Sequence, residues 1–166
     1  MKNKSITIAF LGVCTALAMI LSYIEVILPP LFPAVPGIKM GLANIIIVFL
    51  LYRRGPLLAG AVSLVRILLV ALLFGNTMSL MYSLAGGVLS FIVMILLRRL
   101  KFLSTVGVSV AGGVFHNVGQ ILAAMVLLDT NQLAYYLVVL IITGTVSGIF
   151  IGLCGATLVK RVPQKF

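Results

Sequence analysis

Residues 106 to 128 read VGVSVAGGVFHNVGQILAAMVLL. At about 1.5 Å per helical residue, such a stretch outreaches the roughly 30 Å hydrocarbon core of a bilayer. It is apolar enough to be a membrane helix, yet His116, Asn117 and Gln120 stand inside it. Residues 83 to 94, SLAGGVLSFIVM, open on the same AGG frame without such a trio. If the stretch spans lipid, each polar group in it needs a partner or a role.

The rest of the chain supports the lipid reading. Of 166 residues, 63% are apolar and 8% charged, with a mean hydropathy of +1.32. Water-soluble domains carry about 25% charged residues, so this chain has too little polar surface for a water-facing globule. Six apolar segments can be drawn, at about 6–28, 40–52, 57–74, 78–97, 106–128 and 133–159. They predict an all-α, polytopic membrane protein, residues 1–166 forming a single integral membrane domain of six helices in one bundle. The second segment is short for a span. The first is too long for a signal-peptide core and is expected to be retained.

The net charge of +10 has the pattern of membrane loops rather than of a nucleic-acid stripe. Lys2 and Lys4 precede the first segment, and Arg53 and Arg54 separate the second and third. Arg98, Arg99 and Lys101 separate the fourth and fifth, and Lys160, Arg161 and Lys165 follow the sixth. Six alternating helices put all of these on one side and leave Lys39, Glu25 and Asp129 near the other. The positive-inside rule then makes both termini cytoplasmic and the location the cell membrane. Omitting the second helix would scatter the charges over both faces.

The outer connection reads PPLFPAVPGIK (29–39). Its prolines fix φ and donate no hydrogen bond, which makes it stiff and non-helical. Pro29, Pro30, Leu31, Phe32, Pro33 and Pro36 are read as a lid over an outward pocket, in preference to a plain connector. The apolar Leu31, Phe32 and Val35 would be out of place in a free aqueous loop. Small residues recur at packing spacings. Gly144, Gly148, Gly152 and Gly155 suit packing within the bundle. Gly12 and Ala16, with Ala9 a turn away, suit either packing or docking on another membrane protein.

Arg66 and His116 fall near mid-membrane when counted from their helix starts. Gly112, His116 and Gln120 share one helix face, with Asn117 beside it. Asn44 lies near the outer end of the second segment, and Glu25 near that of the first. One reading is a set of interhelical hydrogen bonds, with Arg66 paired to Glu25. The preferred reading is a pocket open to the outside, in which Arg66, His116 and Lys39 supply positive charge. Asn44, Asn117 and Gln120 would orient the ligand. A surplus of basic groups points to an anion.

Several chemistries lack their residues. There is no GxxxxGK[ST] phosphate loop, so no ATP hydrolysis is expected. Two acidic residues far apart cannot supply paired carboxylates or a carboxylate-held metal cluster. No catalytic residue, metal site or cofactor is assigned, and Cys14 and Cys154 are read as buried thiols without a disulfide framework.

GIKMGLANIIIVFLLY (37–52), LVRILL (64–69), SLAGGVLSFIVM (83–94) and SVAGGVFHNVGQILAA (109–124) resemble a small bacterial membrane family. It is labelled heptaprenyl diphosphate synthase component I, or Gx transporter family. The likeness covers nearly the whole chain, and GxKxGLAN and AGGxxHNxGQ are its most specific parts. The family looks related to the substrate-binding S components of energy-coupling factor (ECF) importers. That resemblance implies a six-helix bundle capturing a small molecule from outside. It also implies a transmembrane coupling subunit and two ATPases as partners, with Gly12 and Ala16 as a docking face. An isoprenoid or quinone precursor is the ligand class the label suggests. The label's synthase chemistry has no counterpart here, because DDxxD motifs are missing and Asp129 is the sole aspartate. Two other readings stand beside this one: a non-catalytic accessory subunit of polyprenyl diphosphate or quinone synthesis, and a stand-alone secondary transporter.

Overall fold

The computed structural model describes residues 2–28, 39–100 and 102–163, and their regular structure is all helical. The polar-marked stretch forms α5 (Thr105–Leu127), which packs between α4 (Thr77–Arg98) and α6 (Leu137–Arg161). α3 (Pro56–Phe74) packs between α4 and α1 (Lys2–Ile27). α2 (Asn44–Arg53) closes the ring by touching α1, α3 and α6. Pro29, Pro30, Leu31, Phe32, Pro33 and Pro36, read above as a lid, lie outside the described residues.

Local sequence sets the helix ends. Asn76 caps α4 by accepting from the Ser79 N–H at 2.8 Å, and Ser104 caps α5 by accepting from the Gly107 N–H at 3.1 Å. Gly55, at φ +90°, turns the chain after α2, and Pro56 opens α3, where its missing N–H would have no helical partner.

Three helix starts differ from the sequence expectation by four residues, α1 beginning at Lys2 rather than near residue 6. α2 begins at Asn44 rather than near residue 40. Gly41 has φ +83°, and Glu25 accepts from the N–H groups of Gly41 at 2.6 Å and Leu42 at 3.0 Å. This removes the segment from helical geometry. The last helix is preceded by a six-residue 3-10 helix, Asn131–Tyr136, so α6 begins at Leu137 rather than at residue 133.

Contacts fix the helix directions. Between α5 and α6, Val106 lies opposite Gly152, Val110 opposite Gly148, Gly113 opposite Gly144, and Asn117 opposite Leu140. One number rises as the other falls, so the helices are antiparallel. A Cβ added at Gly148 would lie 2.6 Å from Val110 Cα, and one at Gly152 2.8 Å from Val106 Cα. The α6 glycine row therefore brings two backbones together. α4 and α5 are antiparallel as well, with Gly86 facing Gly119 and Gly112 facing Ser90 and Met94. α2 and α6 run parallel: Val48 meets Gly155, and Arg53 donates to the carbonyls of Val159 and Val162.

As a result, basic residues gather at one end. Arg53 holds the end of α6, Arg54 stacks 5.1 Å from the Phe10 ring centroid, and Arg98 stacks 5.3 Å from that of Tyr52. The Glu25–Gly41 contact marks the opposite end.

Among the described residues, five helices are long and apolar enough to cross a membrane, while α2, with 10 residues, is shorter. Large apolar side chains cover the outside, Leu72 at 81% and Val126 at 80% exposure among them. Such a surface suits lipid, and the chain has the build of a multi-pass membrane protein. α2 is the inner element, with Ile46 through Leu51 all buried.

Candidate functional site

The two sequence stretches with the most distinctive polar residues meet in space. Gly41 belongs to the first. Its N–H is held by Glu25, and its Cα faces the Asn44 amide and the edge of the His116 ring. His116 belongs to the second stretch and is 3% exposed.

Arg66 projects from α3 into the same region and is buried. Its Nη1 donates to Ser22 Oγ at 3.1 Å, and its Nη2 makes a long contact of 3.4 Å to Asn44 Oδ1. Both partners are neutral. Nε has no hydrogen-bond partner among the described residues. Glu25 is within electrostatic reach of Arg66, but its hydrogen bonds hold the Gly41–Leu42 backbone. The simple Arg66–Glu25 pair considered from sequence is replaced by an indirect arrangement. The carboxylate fixes the turn that carries Asn44, and Asn44 meets the guanidinium.

A small, partly open cavity adjoins this cluster. Ser22 and Lys39 line it, as do Arg66, Ile67, Val70 and Ala71 of α3 and Ser79 and Ser83 of α4. Lys39 is partly buried. Loss of water pushes its ammonium below the usual lysine range; the Glu25 carboxylate opposes that shift, and Arg66 adds to it. Two cationic side chains thus border one cavity. Paired cations of this kind are chemistry that suits an anion.

Not every candidate joins the cavity. Asn117 turns towards α6, where its Nδ2 donates to the Leu140 carbonyl at 2.7 Å and contacts Thr143 Oγ1 at 3.4 Å. Gln120 is fully buried against α4, and among the described residues neither its Nε2 nor its Oε1 has a partner. His116 meets the Gly86 backbone of α4. Gly12 and Ala16 lie on the exposed side of α1, and a Cβ added at Gly12 would meet nothing within 4 Å.

The structure adds residues that sequence reading passed over. Ser22 holds Arg66, and Ser79 and Ser83 line the cavity. Ser79, Ser83, Gly86 and Ser90 are spaced four, three and four apart, a helical-face signal available in the sequence. Among the described residues, no group of three or more His, Cys, Asp and Glu is placed to hold a metal ion.

A helical membrane bundle with a buried cationic cluster at one end is the class these features define. The chain belongs to the family described as heptaprenyl diphosphate synthase component I, whose sequence model matches residues 14–158. Comparison with curated proteins and with solved structures gives no match.

Proposed function

We propose that the chain is the substrate-binding membrane component of an ECF-type importer and captures a small anionic metabolite from outside. The observation that carries this reading is Arg66. It is buried, its hydrogen-bond partners are neutral, and it borders a cavity shared with Lys39. A buried charge without a directly bonded counter-charge is expensive, and a bound anion would offset that cost.

The helix directions support six crossings, α2 being completed by the turn before it. Grouping of the basic residues at one end supports cytoplasmic termini in the cell membrane. The cavity then faces outward. Because the chain has no phosphate-binding loop, energy would come from a coupling subunit and two ATPases. The exposed Gly12–Ala16 face is a docking surface for the coupling subunit.

Purification at native expression should recover the coupling subunit and ATPases with this chain. Repeated isolation without them would count against an importer. The family description also favours a second reading, a non-catalytic membrane component of heptaprenyl diphosphate synthesis. In that case prenyl synthase activity would depend on the chain, and uptake would not.

A further inference from the structure

The buried polar groups line two opposed helix faces. On α4 they are Ser79 and Ser90, with Gly86 and the partly buried Ser83 between them. On α5, Ser109, Gly112, His116 and Gln120 follow at three, four and four residues, which also keeps one face. A Cβ at Gly86 would lie 2.7 Å from Gln120 Cγ and 3.2 Å from His116 Cε1, so the absence of a side chain there lets both approach α4. The outer part of the α4 face, Ser79 and Ser83, lines the cavity beside Arg66 and Lys39, and Gly86 is one turn deeper.

Gln120 is the extreme case on this seam. It is 0% exposed, and both of its amide heteroatoms lack partners among the described residues. Leaving such a group unpaired costs stability, whereas an apolar side chain of similar volume would carry no such penalty. A carboxamide holds a donor and an acceptor side by side in one plane. Its matched partner presents an N–H next to a C=O, which is the edge of a cis amide as found in lactams and imides. A hydroxyl offers no such fixed pair.

Building on the capture reading, we propose that the ligand is an anion bearing a lactam or imide edge. Arg66 and Lys39 hold its charged group, and Gln120 reads its amide edge beside the His116 ring.

The test uses the full-length chain in nanodiscs and isothermal titration. Pyroglutamate and orotate are anions with a lactam or imide edge; cyclopentanecarboxylate and benzoate are ring anions without one. The edged anions are expected to bind about tenfold tighter, as two net hydrogen bonds would give. Gln120→Leu and Gln120→Met should abolish that preference and keep the weaker binding. Both variants should melt no lower than the parent chain, because each removes an unpaired amide. Equal binding of both probe classes, no binding of either edged anion, or a preference that survives both substitutions would overturn the proposal. The capture reading fails separately if anions bind and Arg66→Ala leaves the binding of all of them unchanged.

Discussion

The Cα of Gly41 lies against the edge of the His116 imidazole. A Cβ there would stand 3.4 Å from Cδ2 and 3.5 Å from Nε2 of the ring, and 2.9 Å from Asn44 Nδ2. The turn before α2 and the middle of α5 therefore share one contact, with Arg66 joined to it through Asn44. Gly41 is also at φ +83°, where a side chain is strained. Gly41→Ala should lose about 1–2 kcal/mol from the left-handed backbone alone. It should also displace Asn44 from Arg66. A small fall in melting temperature with a larger loss of anion affinity is expected. Unchanged affinity would detach the turn from the site.

Asn117 and Gln120 stand close in sequence but meet different helices, α6 and α4. Asn117→Ala removes a hydrogen bond between α5 and α6 and should reduce stability by about 1 kcal/mol. Anion binding by the folded fraction should remain. Loss of binding in a variant of parental stability would place Asn117 in the ligand site instead.

The α6 glycine row is a packing device. Gly148→Val places methyl groups where the α5 backbone runs and should destabilise the bundle by about 1–3 kcal/mol or more. Gly12→Val meets open space on α1 and should leave stability unchanged. Thermal melts of the two variants in the same detergent check the contrast. Equal melting temperatures would argue against close α5–α6 contact.

Orientation can be read on intact cells. In a background with Cys14 and Cys154 replaced by alanine, Asp129→Cys should react with a membrane-impermeant maleimide, and Arg99→Cys should react only after lysis. The reverse pattern would put the cavity on the cytoplasmic side.

Much of the bundle could be read from the sequence because lipid imposes simple rules. Long apolar runs gave the helices, and of the basic clusters the contacts bring Arg53, Arg54 and Arg98 to one end. Depth counting brought Arg66 and His116 to similar levels. Side-chain direction was harder. Asn117 is one residue from His116, and the helical step of about 100° turns it to another neighbour. The start of α2 was missed because it depends on Glu25, sixteen residues before Gly41. Ser22 was unremarkable until Arg66 was placed against it. The serine row of α4 was visible as a spacing, but serines alone are common in membrane helices and give little reason to select them.

The central claim is that Arg66 waits in the bundle for an anion from outside. The most direct test is native mass spectrometry of the chain gently purified from its own host, beside Arg66→Ala prepared identically. The expected result is one small anionic molecule per wild-type chain and none on the folded variant. A wild-type chain that carries no such molecule, or a variant that carries it equally, would contradict the claim.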